Sequence, residues 1–183
     1  ERGVAADSRV ETFAAVRLRI DNWRWAGVPF YIRAGKCLPV TCTEVLVELK
    51  APPCSAFREM MERPNYVRFR LGPDMAIALG VRSKTPGEAM VGHEVELLAT
   101  QCSSDEMDAY ERLLGDAMKG DATLFAREDT VEAEWRIVAP ILGLTTPPHE
   151  YEVGTWGPGA ADRLIDRPGG WHQPQPAAPR RAW

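Results

Sequence analysis

The sequence predicts an α+β fold in which a large, mainly antiparallel β-sheet carries a few helices packed on one face. Apolar and polar residues alternate with a period of two in several segments between residues 16 and 99, a pattern typical of strands that bury one face. Short turns separate some of these segments, and helical periodicity appears mainly after residue 103. Because short connections cannot cross over between parallel strands, we expect hairpins and meanders.

Each alternating segment predicts one strand, and turn residues such as those at 72–74 and 84–87 mark where strands end. The arginines that alternate with the apolar residues are expected on the solvated face of the sheet. These arginines are Arg17, Arg19, Arg68 and Arg70, and the apolar residues are Val16, Leu18 and Ile20; Val45, Val47 and Leu49; Val67, Phe69 and Leu71; Ile77, Leu79 and Val81; and Val95, Leu97 and Ala99.

Two longer helices are predicted in the second half of the chain. The first begins at a cap provided by Ser103 or Ser104 and ends at Gly120. Asp129 and Glu132, three residues apart, form the expected capping pair of the second helix. The apolar residues expected to face inward are Tyr110, Leu113, Leu114, Ala117 and Met118 in the first helix, and Val131, Trp135, Val138 and Leu142 in the second.

Gly and Pro residues set the remaining boundaries. Pro140 lies inside the second helical pattern, so its last turn, near Gly143, should be bent or irregular. A shorter helix is expected over residues 55–62. We expect one domain over residues 1–172 and a mobile tail over residues 173–183, in a chain that looks like part of a longer protein.

Composition and cysteine usage exclude several functional classes. The net charge of −4 and the isoelectric point near 5.5 provide no positive field for nucleic acid or an anionic membrane. No apolar run approaches the roughly 18 residues of a membrane span. The four cysteines form no C-x-x-C pair and are interpreted as reduced thiols. The histidine and cysteine spacings fit no zinc-ligand pattern, so no metal site is expected.

Recognisable catalytic motifs are not found in the sequence. No G-x-G-x-x-G follows a strand, and no Ser-His-Asp or Cys-His constellation can be assigned. His172 lies in a Gly-rich loop and is expected at the surface without a partner acid. Trp23, Trp25 and Trp135 are interpreted as core or interface residues, because no basic stripe accompanies them. We therefore expect no complete catalytic apparatus in this chain.

Lys36 is the best candidate for a functional cation. It follows the apolar run 28–32, and Gly35 lets the backbone turn or approach a ligand closely. An ammonium group at a strand end suits a phosphoryl or hydroxyl oxygen. The phosphate-binding pattern G-x-x-x-x-G-K-[ST] is not met, because Cys37 follows the lysine. From the local sequence alone, a surface lysine that finishes a hairpin is the favoured interpretation.

Four segments, in chain order, carry a family resemblance. They are ETFAAVRLRIDNWRWAGVPFYIRAGKCL (11–38), KTPGE (84–88), DAYERLLGDAMKGDATLFAREDTVEAEWRIVAPIL (108–142) and YEVGTWGPGAADRLI (151–165). Together they resemble the C-terminal domain of the glucose-6-phosphate dehydrogenase family over nearly the whole chain. The resemblance implies an α+β domain with a large antiparallel sheet, in agreement with the alternation.

The resemblance also implies two substrate-binding residues. Lys36 matches the lysine of the family's Arg-x-Gly-Lys motif, which reaches the sugar phosphate of the substrate. Thr41 falls where animal members carry an arginine that contacts the substrate. Gly72 falls where they carry a contacting glutamine. No catalytic, cofactor-binding or metal-ligating residue is implied within this chain.

A second, structural NADP site is known in animal members of the family. Arg33 and Arg70 match two of its basic residues, whereas Ala78 and Gly80 replace its aromatic residue and its lysine. The resemblance therefore implies no structural NADP site here.

In function, the resemblance implies that the complete enzyme oxidises glucose 6-phosphate to 6-phosphogluconolactone with NADP, in the oxidative pentose phosphate pathway. NADP is bound mainly by an N-terminal Rossmann domain, and the general base is a histidine. Neither is expected in this chain, so the fragment alone should be inactive. The implied partners are glucose 6-phosphate and further copies, as a dimer or tetramer through the sheet domain, without nucleic acid or membrane, in the cytoplasm. The alternative is a stand-alone, non-catalytic assembly or regulatory domain of the same descent.

Overall fold

The computed structural model describes residues 3, 5, 7–51, 64–100, 107–142 and 148–176. The chain divides into two compact units, one formed by Glu1–Cys102 with Pro148–Trp183 and the other by Ser103–Pro147. The helix expected over residues 55–62, the serine caps at 103 and 104, and the helix end near Gly143 lie outside the described residues.

The first unit contains six antiparallel strands in two sheets, which confirms the predicted α+β class. Strands β1 and β2 pair with each other, and β3 to β6 form a four-stranded meander in chain order. The strands are β1 Phe13–Arg19, β2 Pro29–Gly35, β3 Thr43–Glu48, β4 Tyr66–Gly72, β5 Ala76–Lys84 and β6 Gly92–Thr100.

The register of the meander sorts its side chains into one apolar and one polar face. Residues that pair across strands point to the same face, and the row Val47, Val67, Leu79 and Leu97 is apolar throughout. The apolar face is the exposed one: its large side chains keep between 37% and 59% of their surface accessible in Val45, Val47, Leu71, Ile77, Leu79 and Leu97.

The opposite, polar face is covered, which makes the prediction for its arginines wrong. Arg70 is only 7% exposed and Ala78 only 1%, and Arg68 is largely buried as well. The C-terminal stretch passes over this face, since Gln175 accepts a hydrogen bond from Arg70 through its carbonyl oxygen. Alternation distinguishes two faces but not which one the remaining chain covers. Arg17 and Arg19 are exposed as expected.

The second unit contains helices α1 (Ala109–Lys119) and α2 (Glu128–Val138). The Asp108 side chain caps α1, so the cap expected from Ser103 or Ser104 is wrong for this helix. Gly120 ends the helix in the left-handed conformation, as predicted. The expected capping pair of α2 is wrong, because the helix begins one residue before Asp129, whose carboxylate binds Arg127 instead. The irregular last turn at Pro140 is confirmed by the 3₁₀ helix Ala139–Ile141.

The apolar stripes of both helices are exposed. No described residue of α1 or α2 is buried, and Trp135 and Leu114 keep more than half of their surface accessible. The inward orientation expected for these stripes is therefore wrong within the second unit, whose own described elements leave them exposed. None of the helices in the described ranges has the length and apolar character needed to cross a membrane.

Candidate functional site

Lys36 lies directly beyond the end of β2, at the point where the chain leaves the two-stranded sheet. Its backbone N–H still donates to the Thr12 carbonyl at 2.8 Å, which extends the ladder by one bond. Cys37 then turns into the left-handed region with φ of 53°. Two bonds from the C-terminal part of the unit hold this turn: Tyr151 Oη donates to the Lys36 carbonyl at 2.8 Å, and Gly154 N donates to the Cys37 carbonyl at 2.9 Å.

The Phe13 ring fixes the same turn by close packing. A Cβ added to Gly35 would lie 2.7 Å from Phe13 Cδ2, and one added to Gly157 would lie 2.3 Å from Phe13 Cε2. Both positions therefore need glycine for the ring to fit between them. Phe13 also packs on Tyr151, with ring centroids 5.4 Å apart. Packing and hydrogen bonds together define the backbone from which the Lys36 side chain extends.

Thr41 lies in the connection between β2 and β3 and is exposed. Two residues later Thr43 opens β3 and pairs with Gly72, the last residue of β4. The register thus brings Thr41 and Gly72 to the same end of the meander. No hydrogen bond joins Lys36 to Thr41 among the described residues, so the connection 36–42 presents them separately.

A buried carboxylate lies beside this connection. The Glu44 side chain is 1% exposed and contacts three cationic or ionisable groups: Arg70 Nε at 2.7 Å, Arg68 Nη1 at 3.3 Å and His172 Nε2 at 2.5 Å. Burial alone raises the pKa of Glu44, but the hydrogen bonds from His172 and Arg70 and the charge of Arg70 outweigh it and hold that pKa below its ordinary value. The carboxylate is therefore ionised at neutral pH.

His172 links this carboxylate to β2. Its carbonyl oxygen accepts a hydrogen bond from Arg33 Nη2 at 2.8 Å, while its ring binds Glu44 of β3. The Arg33 guanidinium lies over the rings of Trp156 and Trp171, with 4.6 Å and 5.2 Å to the centroids, and burial lowers the pKa of Arg33. The expectation that His172 has no partner acid is wrong, because the chain folds back over the sheet.

A second set of polar contacts continues the buried face toward β6. Arg68 Nη2 binds Glu96 at 2.6 Å, and Tyr66 Oη donates to the same carboxylate at 2.7 Å. Burial first, and then the bonds to Glu96, raise the pKa of Tyr66. Among the described residues, no group of three or more metal-ligating side chains could hold an ion.

Several residues of this region carry no signal in the sequence. Glu44 alternates within a strand in the same way as an exposed glutamate, and Tyr151 lies in a segment without periodicity. The opposite charges of Glu44 and Arg70 indicate a pair only once the strand register is known, because the register places the two residues opposite each other. Trp23, interpreted as core or interface, is 89% exposed and is not a core residue of the described chain. Trp25 packs edge-on against Phe30.

The chain is similar in sequence to a known protein family over almost its whole length. The family model described as "Glucose-6-phosphate dehydrogenase, C-terminal domain" matches residues 1–173. Glucose-6-phosphate 1-dehydrogenase of Aggregatibacter actinomycetemcomitans is 45% identical over 181 residues, which cover 95% of this chain and 36% of that protein. Glucose-6-phosphate 1-dehydrogenase 1 of Mycobacterium tuberculosis (strain H37Rv) is 42% identical over 174 residues, 94% of this chain and 37% of that protein.

Two solved structures are similar in fold as well as in sequence. Glucose-6-phosphate 1-dehydrogenase from Mycobacterium avium superposes with a TM-score of 0.85 at 41% identity, covering 98% of this chain and 38% of that one. A glucose-6-phosphate dehydrogenase in complex with its substrate glucose-6-phosphate gives a TM-score of 0.76 at 30% identity, covering 94% and 37%. The chain thus spans a little over a third of the length of the relatives it matches.

The buried carboxylate predicts a large effect of removing it. Glu44→Ala leaves Arg70 buried without its partner, so the free energy of unfolding should fall by about 3 kcal/mol at neutral pH. Denaturant unfolding of the intact protein measures this loss. The matched control is Asp129→Ala, whose ion pair with Arg127 is 67% and 81% exposed and should contribute less than about 1 kcal/mol.

The same effect should depend on pH in one direction. Because the pKa of Glu44 is lowered by folding, its contribution is present above the unfolded-state pKa, about 4.3. It is lost as pH falls through the folded-state pKa. The difference in the free energy of unfolding between the wild type and Glu44→Ala should therefore shrink below about pH 4. Equal losses for Glu44→Ala and Asp129→Ala at pH 7 would contradict the buried ion pair.

Proposed function

This chain belongs to the glucose-6-phosphate dehydrogenase family, and we propose that it is the substrate-binding and oligomerisation domain of an NADP-dependent member. The complete enzyme would oxidise glucose 6-phosphate to 6-phosphogluconolactone in the cytoplasm, at the start of the oxidative pentose phosphate pathway. The observation that supports the substrate role is the position of Lys36, which is held at its backbone on both sides while its ammonium group has no ion-pair partner among the described residues.

The neighbouring arginines differ from Lys36 in this respect. Arg33 donates to the carbonyl oxygens of Trp156 and His172, and Arg70 binds Glu44 and the Gln175 carbonyl. Their charges are therefore already engaged inside the domain. Lys36 remains able to bind an external anion, and a compact ammonium group suits a phosphate oxygen.

Thr41 is the second proposed substrate contact. Its hydroxyl can donate to a phosphate or sugar oxygen but brings no charge. Gly72, at the same end of the meander, offers no side chain at all. We infer that phosphate binding depends more on the charge of Lys36 in this protein than in the family members that carry an arginine at the position of Thr41.

The chemistry of hydride transfer is proposed to lie outside this chain. The Glu44–His172 pair is the one carboxylate–imidazole contact of the described residues, but Glu44 is buried and bound by two arginines. It therefore suits a structural role better than that of a general base, which must reach the substrate hydroxyl. We place the base and most of the NADP site in an N-terminal domain of the complete enzyme.

The described residues do not fit an additional NADP site on the polar face. Arg33 and Arg70 are bound by internal groups, Ala78 is buried, and a Cβ at Gly80 would lie 2.2 Å from the Tyr66 ring. When bound in the N-terminal domain, NADP would accept the hydride from the sugar. This chain would contribute by holding the phosphate end of the substrate.

Assembly is proposed to use the sheet unit. The exposed apolar face of the meander is larger than isolated surface residues explain, and such faces are normally covered in the complete protein. Since the chain spans only 36% of a relative such as that of Aggregatibacter actinomycetemcomitans, other parts of the enzyme and other subunits are available to cover it. We propose a homodimer or homotetramer formed through the sheet domain.

The substrate role of Lys36 gives a direct prediction for the full-length enzyme. Lys36→Ala removes a charge-assisted contact of about 1.5–3 kcal/mol, so KM for glucose 6-phosphate should rise about 10- to 100-fold. Steady-state kinetics with glucose 6-phosphate and with unphosphorylated glucose distinguish a contact to the phosphate from a contact to the sugar. For unphosphorylated glucose, kcat/KM of Lys36→Ala should stay within about twofold of the wild type.

Lys50→Ala is the matched control, because Lys50 is exposed beyond the end of β3. It should leave both substrates unaffected. An unchanged KM for glucose 6-phosphate in Lys36→Ala would remove the substrate assignment, and an equal loss with glucose would show that the variant damages the enzyme generally.

The isolated 183-residue chain should reduce no NADP in the presence of glucose 6-phosphate, because neither the base nor the coenzyme site is proposed within it. An absorbance assay for NADPH tests this, with the full-length enzyme as the positive control. Turnover by the isolated chain would refute the proposed division of labour.

A further inference from the structure

We propose that Tyr151 is a positioning residue for Lys36, acting through the Lys36 carbonyl group rather than by contact with substrate. The proposal rests on the proposed function, since it concerns how the phosphate-binding lysine is placed. Tyr151 Oη lies 2.8 Å from the Lys36 carbonyl oxygen, and the two residues are 115 positions apart in the chain. The bond therefore ties the C-terminal part of the unit to the end of β2.

The Tyr151 hydroxyl donates mainly to one acceptor. It lies 2.8 Å from the Lys36 carbonyl but 3.3 Å from the Thr12 carbonyl, and the Thr12 carbonyl already accepts from the Lys36 N–H at 2.8 Å. A phenol has a single hydrogen to donate. The shorter contact is the better bond, so the donor is directed at Lys36.

Lys36 needs such a tie because regular pairing stops beside it. The ladder between β1 and β2 ends with Phe13 opposite Gly35, and Cys37 has a positive φ of 53°. Lys36 therefore has no paired residue on β1, and its carbonyl group accepts from Tyr151 instead. The lysine side chain has four rotatable bonds and many accessible rotamers. If its Cα also moved, the ammonium group would sample a still larger volume, so fixing the backbone narrows the positions that the ammonium group can take.

The Tyr151 ring is held independently of its hydroxyl group. It packs against Phe13 at an interplanar angle of 55°, and Phe13 is itself confined between Gly35 and Gly157. Tyr151→Phe keeps this ring packing and removes only the hydrogen bonds. The substitution therefore tests the tie without opening a cavity.

In the full-length enzyme, Tyr151→Phe should raise KM for glucose 6-phosphate about three- to tenfold, the equivalent of one neutral hydrogen bond. We expect kcat, and KM for NADP, to stay within about twofold. The matched control is Tyr31→Phe, a substitution of the same kind on β2, whose hydroxyl only approaches the Asp166 N–H at 3.5 Å. It should leave KM for glucose 6-phosphate unchanged.

A double-mutant cycle with Lys36→Ala decides whether Tyr151 acts through the lysine. If it does, adding Tyr151→Phe to Lys36→Ala should change KM by less than about twofold. The same fold increase in both backgrounds would overturn the proposal, as would an unchanged KM in the single variant. A parallel loss of kcat/KM with unphosphorylated glucose would likewise overturn it, since that marks general damage to the enzyme.

The outcomes separate this proposal from the one on which it rests. If Lys36→Ala raises KM while Tyr151→Phe does not, only the positioning role fails. If Lys36→Ala leaves KM unchanged, the substrate assignment fails, and the positioning role fails with it. Melting temperatures of all variants accompany the kinetics, and we expect Tyr151→Phe to lie within a few degrees of the wild type.

Discussion

The buried carboxylate of Glu44 is the interaction on which the rest of the sheet unit depends. An ionised group at 1% exposure is tolerated only where charges and hydrogen bonds replace its water. Arg70 and Arg68 supply charge from the neighbouring strand, and His172 supplies a further hydrogen bond from the C-terminal stretch. The polar face of the meander consequently becomes an interior, closed by residues that lie 128 positions away in the chain.

The C-terminal stretch that covers the polar face also fixes the connection 36–42, which carries the candidate site. His172 joins β3 through its ring and β2 through its carbonyl group, so it holds the two strands that flank residues 36–42. Tyr151 and Gly154 add bonds at the first turn of the connection. The C-terminal stretch thus serves as a structural support for Lys36, whose own side chain makes no ion pair with the described residues. The boundary at residue 172 between domain and tail stays a prediction, although Gln175 already contacts Arg70.

The strands could be predicted from the sequence because the period-two alternation is a local property of each segment. Leu79 and Leu97, for example, fall on the predicted strands and on one common face. Which face is covered could not be predicted, since the covering stretch has no periodicity and its contacts are set by tertiary packing. For the same reason Glu44 and Tyr151 were missed, whereas Lys36 could be named as a candidate because a Gly-Lys pair after an apolar run is visible in the local sequence. Its role still required the resemblance of the whole chain to a family.

The most direct test of this account is the reactivity of the two internal arginines toward a dicarbonyl reagent, followed by mass spectrometry of the full-length enzyme at neutral pH. Arg127, which is 81% exposed, serves as the reference for free reaction. Arg33 and Arg70 should be strongly protected from the reagent in the wild type. Both should become reactive in the double variant Trp171→Ala/His172→Ala, which removes two side chains of the C-terminal stretch that covers the polar face. Modification of Arg33 and Arg70 in the wild type as fast as Arg127 would contradict it.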